Sequence, residues 1–338
     1  MRILFICKKN TIYGITSYTR RSSGLYNSTS FIVKGLLSLG VHAKIIEVQD
    51  NNCIDREVTA FKPDVVVIEA MWVVPEKYLV LKRLHPKVKW FIHMHSGVPF
   101  AAQEGMVCEW LIECAREGIS IIANSPDSFD AYSTIIPPDL LFYLPNVYLV
   151  EPRKPKKHQH KNVIHVGCFG AIRPLKNHLS QAFAAIKFAR DLGKQLHFHV
   201  NASRVEMGGN PILKNLRGLF DRLHDCTLVE HDWYDAEDFV DMLHVHMDIG
   251  MQVSLSETFN VVSADCITAG IPCIVSDEVP WASSLIRAEK DSIESMVKML
   301  HRAWNFPILV RYNQYLLREY AENSLQMWYD WAHSLRCR

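Results

Sequence analysis

The stretch SLSETFNVVSADCITAGIP, residues 254–272, decides the fold of this 338-residue chain. The residues before it, 246–253, are mostly apolar and are typical of a buried parallel strand. After a polar turn comes an apolar run that ends with the helix stop signals Gly270 and Pro272. Residues 271–275 are predicted as the next strand. The stretch therefore predicts a strand, a loop, a helix and a strand, and open parallel sheets bind ligands at such loops.

Two acidic residues lie on this loop and helix. Glu257 is on the loop, and Asp265 follows eight residues later, about two helical turns into the helix. The N–H groups of Phe259, Asn260 and Val261 are predicted to begin the helix and to face an anion. Acids for sugar hydroxyls and amides for a phosphate describe a sugar-nucleotide site. On spacing alone, an N-cap acid and a solvated helix acid remain an equal alternative.

The same stretch resembles the signature of retaining GT-B glycosyltransferases, the large group related to sucrose and glycogen synthases. That signature is Ser-x-x-Glu-x-Phe-Gly, a second acid eight residues after the first, small residues and Gly-x-Pro. The positions that match it are Ser254, Glu257, Phe259, Asp265, Ala269, Gly270 and Pro272. Asn260 replaces the usual glycine, and Asp265 replaces the usual glutamate. A phage-type DNA-modifying member of the group is one version of this hypothesis.

Bulk composition favours a globular α/β protein. The chain is 49% apolar and 22% charged, with a formal net charge of +1 that indicates no particular partner. No apolar run reaches the length of a membrane span, and the apolar N-terminus is too short for a signal peptide. The nine cysteines include no Cys-x-x-Cys pair, which predicts a reduced, cytoplasmic protein.

Strands and helices alternate along the chain, which predicts doubly wound parallel sheets. The strands predicted before the central stretch are 3–7, 43–48, 64–68, 90–95, 119–123, 162–168, 195–200 and 227–230. The helices specified are 29–39, 103–117, 176–192, 211–223 and 236–243, and the aromatic residues of 313–335 have near-helical spacing typical of a core-facing helix.

The predicted domains follow from this alternation and from the resemblance. Residues 1–150 form a Rossmann-like acceptor domain, and the proline-rich, charged residues 151–161 form a linker. Residues 162–307 form a Rossmann-like nucleotide-sugar domain. The resemblance implies the GT-B plan, in which the two domains face each other across a cleft and the C-terminal helix, 308–338, crosses back to the first domain.

A second group of residues follows the first strand of the second half. Glycines after a strand allow a tight turn, and Arg173 and Lys176 bring positive charge that could stabilise a diphosphate leaving group. Gly170 and Lys176 keep the six-residue spacing of the Gly-Arg-x-x-x-x-Lys segment of the GT-B group, although Arg173 lies two places later than usual. A surface turn with two solvated bases is the alternative.

Three His-x-His pairs occur, at 93–95, 197–199 and 244–246. They look like zinc ligands, but none has a third ligand at a recognised spacing, so no metal is assigned. The resemblance implies that a histidine at the end of a first-domain strand contacts the donor sugar, and His95 occupies that position. It also implies a catalytic role for His95 with Glu257.

The long loop after the first strand is predicted to serve the acceptor. Cations and aromatic residues alternate there, which suits a phosphate backbone and a stacked base. The residues assigned to this side are Lys8, Lys9, Tyr13, Gly14, Arg20 and Arg21. One candidate acceptor is DNA with a hydroxymethylated pyrimidine flipped into the site. A glycan or a lipid-linked sugar is weighed equally.

The function predicted is therefore a retaining, metal-independent glycosyltransferase that needs no cofactor beyond a UDP- or GDP-linked sugar. A non-hydrolysing nucleotide-sugar epimerase and a non-catalytic binding module remain alternatives. The donor base, its sugar, the acceptor and the oligomeric state stay open.

Overall fold

A computed structural model describes residues 1–9, 24–156 and 162–336 of the chain. They form two compact units, of which the first comprises Met1–Leu149 with Tyr320–Arg338 and the second comprises Val150–Glu319. Each unit contains a parallel sheet of its own. The assignment of an acceptor role and a donor role to separate domains stays a prediction.

The sheet of the first unit has the strand order β2-β1-β3-β4-β5-β6, and every pairing is parallel. Its strands are β1 (Arg2–Lys8), β2 (His42–Val48), β3 (Val65–Glu69), β4 (Lys89–Met94), β5 (Ser120–Ala123) and β6 (Leu141–Tyr143). Its helices, in chain order, are α1 (Gly24–Ser38), α2 (Ile54–Phe61), α3 (Pro75–Leu84), α4 (Val98–Ala101), α5 (Val107–Arg116) and α6 (Pro126–Ser133). The winding reverses between β1 and β3, so the carboxyl ends of these strands form the topological switch point.

Both faces of this sheet are buried. Leu4 and Ile6 lie in the core on one face, and Ile3 and Phe5 lie in the core on the other. A parallel sheet covered on both sides needs apolar residues at consecutive positions, which the sequence of β1 supplies.

The helix α12 (Ile308–Ser334) contributes its C-terminal turns to the first unit. Trp328 is fully buried there, with its ring centroid 5.8 Å from that of Phe5. Its indole N–H donates to the Pro145 carbonyl over 2.8 Å, which satisfies the polar atom of this large apolar side chain. The prediction that the aromatic residues of the tail pack in a core is confirmed for Trp328 and Trp331, whereas Tyr315 is exposed.

The sheet of the second unit has the strand order β11-β10-β7-β8-β9, again with parallel pairings. Its strands are β7 (Val163–Gly167), β8 (Gln195–Asn201), β9 (Cys226–His231), β10 (Ile249–Gln252) and β11 (Cys273–Val275). Its helices are α7 (His178–Asp191), α8 (Asn210–Phe220), α9 (Ala236–His246), α10 (Val261–Thr268), α11 (Ile293–Asn305) and the first turns of α12. The winding reverses between β7 and β10, which places the switch point there.

The strand β10 is packed closely by its neighbours because it contains a glycine. A Cβ atom at Gly250 would lie 2.7 Å from the Sγ atom of Cys266 on α10 and 3.0 Å from that of Cys273 on β11. The absence of a side chain therefore lets α10 lie directly on the sheet. This close packing positions the N-terminus of α10 beside the end of β10.

Each strand predicted from the sequence is present, with ends shifted by a few residues. The helix of the central stretch begins later than predicted, at Val261. The sequence reading named neither the short strand β6 nor the helix α11. Among the residues described, none of the helices combines the length and the apolar character that crossing a membrane requires.

Candidate functional site

Two loops meet at the switch point of the second unit. One follows β7 and ends in the 3-10 turn Pro174–Lys176, and the other follows β10 and leads into α10. The backbone N–H of Leu255 donates to the carbonyl of Leu175 over 2.8 Å. The two sequence motifs that predicted a donor site are therefore joined directly by a backbone hydrogen bond.

Two side chains tie these loops together more firmly. The amide nitrogen of Asn177 donates to the carbonyls of Val253 (3.2 Å) and Lys290 (2.8 Å). The buried Gln181 accepts from the N–H of Val253 (2.8 Å) and donates to the carbonyl of Lys176 (2.7 Å). These bonds hold the backbone of both loops, so the backbone position from which the Lys176 side chain extends is fixed.

The charged centre of this site is an ion pair between Lys176 and Glu257. The Nζ atom of Lys176 lies 2.5 Å from Oε1 of Glu257, and the side chains are only 11% and 9% exposed. The amide nitrogen of Asn260 donates to the same oxygen over 3.0 Å. Charge-assisted bonds of this kind are short and strong. The site thus places a cation suited to phosphate beside a carboxylate suited to hydroxyl groups.

The backbone of Asn260 explains why this residue can replace the usual glycine. Its φ is 64°, in the left-handed region that glycine and asparagine tolerate best. Its side-chain oxygen accepts from the Ser263 N–H (2.8 Å), and its nitrogen also donates to Gln252 (3.1 Å). Asn260 therefore keeps the turn that a glycine would allow and adds an N-cap to α10.

The position of this cap corrects one prediction. The sequence placed the N–H groups of Phe259, Asn260 and Val261 at the helix start, but the first turn of α10 begins at Val261 and the N–H of Ser263 is already bonded by the cap. Phe259 lies before the helix, its side chain is buried, and its carbonyl accepts from the indole N–H of Trp281 (3.0 Å). Phe259 is therefore outside the first helical turn, and its assignment to donor binding stays a prediction.

Substitutions of Asn260 distinguish its backbone role from its side-chain role. Asn260→Gly keeps the left-handed turn and is expected to lower the free energy of unfolding by about 1 kcal/mol through the lost hydrogen bonds. Asn260→Ala loses the same bonds and adds left-handed strain, for a total of about 2–3 kcal/mol. Chemical denaturation of both variants measures the difference. Equal losses would show that the positive φ is not what limits this position.

Gly170 shapes the loop after β7. Its φ is 105°, a conformation that strains residues with a side chain. Its N–H donates to the side-chain oxygen of Asn201 (2.9 Å), and Asn201 in turn donates to the carbonyl of Asp232 (3.1 Å). The polar residue that ends β8 therefore fixes the start of the turn that leads to Lys176.

Arg173 and Asp265 lie in the same unit but are engaged differently. A terminal guanidinium nitrogen of Arg173 is 3.6 Å from the carboxylate of Glu206, which also accepts from Arg204 (2.6 Å). Asp265 is half-buried in α10, and its carbonyl accepts from the N–H of Ala269. Lys176 and Glu257 are thus joined directly, whereas Arg173 shares its charge with an acid outside the predicted set.

A second polar cluster lies at the switch point of the first unit. Glu69 ends β3, and its side chain is fully buried. One of its oxygens, Oε2, contacts Nδ1 of His93 (3.0 Å) and Nε2 of His95 (2.5 Å). Strand pairing sets Glu69 beside His93, and alternation along the chain directs His95 to the same face. Both imidazoles therefore share one buried carboxylate.

The charges in this cluster follow from burial and contact. Burial raises the pKa of Glu69, but His93 and His95 outweigh this effect and hold it at about 2. Burial, together with the charge of His93, lowers the pKa of His95, and the Glu69 carboxylate opposes this only in part. At neutral pH, Glu69 is an anion and His95 is a neutral imidazole that donates its Nε2–H to the carboxylate.

Only part of the predicted acceptor side lies within the described residues. Lys8 ends β1 and is exposed, and its Nζ atom lies 6.0 Å from the centroid of the Trp72 ring. Lys9 is also exposed, and its N–H donates to the carbonyl of Val48. The residues that lie outside the described ranges are Tyr13, Gly14, Arg20 and Arg21.

Among the site residues that the sequence did not indicate, three share one feature: Glu69, Asn201 and Gln252. Each is a polar residue that ends an otherwise apolar strand, at the carboxyl edge of a parallel sheet. That position is the signal that could have identified them, because a polar side chain at the end of a buried strand needs hydrogen-bond partners.

The fold of this chain is similar to the folds of several solved structures. No family model matches the sequence, and no curated protein matches it. Sucrose-phosphate synthase from Thermosynechococcus elongatus is 12% identical over 99% of this chain and 98% of that chain, with a TM-score of 0.66. An α,α-trehalose-phosphate synthase from Burkholderia vietnamiensis is 9% identical over 99% and 97%, with a TM-score of 0.65.

A third similar structure is the E. coli trehalose-6-phosphate structure bound with UDP-2-fluoro glucose. It is 9% identical over 99% of this chain and 98% of that chain, with a TM-score of 0.66. At this level of identity the similarity establishes the fold alone. The chain has the α/β fold of GT-B glycosyltransferases over nearly its whole length, as the central stretch predicted.

Proposed function

We propose that the chain is a glycosyltransferase that moves a sugar from a nucleoside-diphosphate donor to a hydroxyl group, with retention of configuration at the transferred carbon. The observation that carries this proposal is the Lys176–Glu257 ion pair at the switch point of the second unit. Open α/β sheets bind ligands at such points, and this one offers a cation and a carboxylate side by side. One structure of similar fold, bound with UDP-2-fluoro glucose, supports the choice of donor.

The donor contacts follow from the charges of the site. Lys176 binds the diphosphate, with Arg173 as a second cation once it is released from Glu206. The first turn of α10, from Val261, directs its N–H groups and its positive dipole end to the same anion. Glu257 accepts hydrogen bonds from the sugar, and Asp265 accepts them from the ribose of a UDP- or GDP-linked donor.

The proposed reaction requires no dedicated base and no metal step. The bond between the sugar carbon and the leaving phosphate oxygen breaks, and a bond to the acceptor oxygen forms on the same face. The acceptor proton passes to the departing phosphate, whose developing charge Lys176 stabilises. The sequence contains no Asp-x-Asp motif after a strand that would indicate a divalent ion.

His95 and Glu69 supply the first unit's contribution to this chemistry. A neutral imidazole that donates its Nε2–H to a buried carboxylate is fixed in tautomer and orientation. The carboxylate behind it also favours positive charge at the reacting centre. We assign His95 to stabilising the partial positive charge of the sugar in the transition state.

The proposed acceptor is defined by its chemical class, which we infer from the residues near the end of β1. Exposed Lys8 and Lys9 at the end of β1 suit an acceptor that carries phosphate, and Trp72 adds an aromatic surface beside Lys8. DNA with a hydroxymethylated pyrimidine fits this description, and a glycan or a lipid-linked sugar is the other candidate. The experiment below separates them.

The test is a screen of UDP- and GDP-sugars against hydroxymethylated DNA, unmodified DNA and simple glycans, read by mass spectrometry. A mass gain equal to one sugar on any acceptor supports the proposal, and its location identifies the acceptor class. A mass gain confined to glycans would eliminate the DNA acceptor.

Donor conversion without any acceptor would instead identify an epimerase. Donor binding that survives Glu257→Ala, with no turnover from the wild-type chain, would identify a binding module. Either result would contradict the transferase assignment.

A further inference from the structure

One face of the sheet in the second unit carries histidines where a parallel sheet is usually apolar. His165 lies on β7, His197 and His199 lie on β8, and His231 ends β9. The alternate residues of β7 and β8 are apolar and lie in the core on the opposite face; they are Ile164, Val166, Leu196 and Phe198. Apolar residues on both faces are the norm for such sheets, so this concentration of imidazoles requires its own explanation.

Strand pairing brings three of these side chains together. His165 is the register partner of His197, and His199 follows two residues later on the same face of β8. The ring centroid of His165 lies 5.0 Å from that of His197 and 5.2 Å from that of His199. One ring nitrogen from each of the three residues lies within 4.8 Å of the other two.

Hydrogen bonds orient the innermost of the three rings. Nδ1 of His199 lies 2.8 Å from Nε2 of His231, and Nδ1 of His231 lies 2.8 Å from the Tyr234 hydroxyl. When Nδ1–H of His199 donates to His231 and Nδ1–H of His231 donates to Tyr234, Nε2 of His199 carries a lone pair. That atom faces Nδ1 of His165 at 3.0 Å. Histidines that bind metals are held in the same way, by a hydrogen bond from the ring nitrogen that does not bind the metal.

Burial differs among the three rings. His199 is buried and is held by its hydrogen bond to His231. His165 and His197 are only half-buried, which leaves an approach for an ion.

We propose that His165, His197 and His199 form a binding site for a divalent transition-metal ion, with Zn²⁺ as the preferred occupant. Imidazole suits this class of ion, and three histidines with one further position for water are a known arrangement for zinc. The site rests on side-chain geometry in the second unit and is independent of the proposed sugar transfer.

The distances require a small adjustment. Metal–nitrogen bonds of 2.0–2.1 Å in a tetrahedral site place the ligand nitrogens about 3.3 Å apart. The nitrogens of His165 and His199 already lie 3.0 Å apart, and the third is within 4.8 Å. Rotation of the half-buried His197 ring closes the remaining gap, because this side chain is less confined than that of His199.

A second cluster with three metal-binding groups, Glu69, His93 and His95, serves as the internal comparison. One ring nitrogen of each histidine bonds the same carboxylate oxygen, so the cluster holds one contact from each of its histidines to a single acid. Glu69 and His93 are also fully buried, which leaves only His95 partly exposed to solvent. We therefore assign the metal to the cluster on β7 and β8.

The test uses the untagged full chain after removal of metals with a chelator. Zn²⁺ is titrated by calorimetry, and Co²⁺ is titrated as a spectroscopic probe of tetrahedral coordination. We expect one ion per chain, tetrahedral Co²⁺ bands and a rise in the midpoint of thermal unfolding with Zn²⁺. Absence of Zn²⁺ binding by the wild-type chain would overturn the proposal.

Variants then locate the ion. Outer hydrogen bonds to metal ligands are worth 10–100-fold in affinity, so loss of a ligand in His197→Asn or His165→Asn is expected to weaken Zn²⁺ binding about 100-fold or more. The exposed His224 provides the control, and His224→Asn should bind as the wild type does. Unchanged binding by both ligand variants, or a loss that occurs only in His95→Asn, would overturn the assignment. Circular dichroism verifies that each variant is folded.

Discussion

Lys176→Ala is expected to lower turnover about 100-fold or more, because one charge-assisted contact to a leaving group is worth that much when it strengthens in the transition state. The Lys176 side chain is 11% exposed and is directed to Glu257 by loops that two side chains hold in place. A solvent ion cannot substitute efficiently for a cation fixed in this way. The loss should fall mainly on kcat rather than on KM, because the charge of the leaving phosphate grows as its bond breaks.

A matched control lies on α7, the helix that follows Lys176. Lys187 on α7 is 58% exposed and pairs with Asp191 at the surface, so Lys187→Ala should keep turnover within a few-fold of wild type. Steady-state kinetics of both variants with the donor and acceptor found by the screen give the comparison. Equal activity of Lys176→Ala and the wild type would show that the diphosphate binds elsewhere.

Glu69→Ala is expected to lower the free energy of unfolding by about 3–5 kcal/mol, as is typical when one partner of a buried charged network is removed. The substitution leaves His93, which is fully buried, without its hydrogen-bond partner and opens a cavity at the end of β3. Urea denaturation of Glu69→Ala and of the surface control Glu322→Ala measures the effect. A loss no greater than that of the control would contradict a structural role for the carboxylate.

The pH dependence of stability provides an independent test of the same carboxylate. The pKa of Glu69 is about 2 in the folded chain, against an ordinary value of 4.5. A depressed pKa means that the unfolded chain binds the proton more tightly, so the stabilisation is present above pH 4.5 and is lost as the pH falls towards 2. The difference corresponds to about 3 kcal/mol. Glu69→Gln should flatten the stability curve in this window relative to wild type.

Local patterns predicted the strands and the central loop because both depend on short-range features. The apolar runs of parallel strands, the glycine and proline after α10, and the acid on the loop after β10 are all visible in a single stretch of sequence. The turn at Asn260 was visible as a departure from a known signature. Its cause, a left-handed backbone that asparagine also tolerates, needed the structure.

Partners brought together by strand register could not be predicted from the sequence. Glu69 and His93 are 24 residues apart, and His165 and His197 are separated by a helix and a turn. Each pair is adjacent only because parallel strands align them. Local spacing therefore does not indicate His165, the proposed third metal ligand, which lies on the neighbouring strand. The ion pair of Arg173 with Glu206 also depends on such a long-range contact.

The central claim is that Lys176 and Glu257 grip a single nucleotide sugar, and a crystal structure of the chain with UDP- or GDP-sugar tests it most directly. We predict density for the diphosphate within hydrogen-bond distance of the Lys176 ammonium, and for a sugar hydroxyl within the same distance of the Glu257 carboxylate. A well-ordered donor that contacts neither side chain, with their mutual ion pair unchanged, would contradict the account.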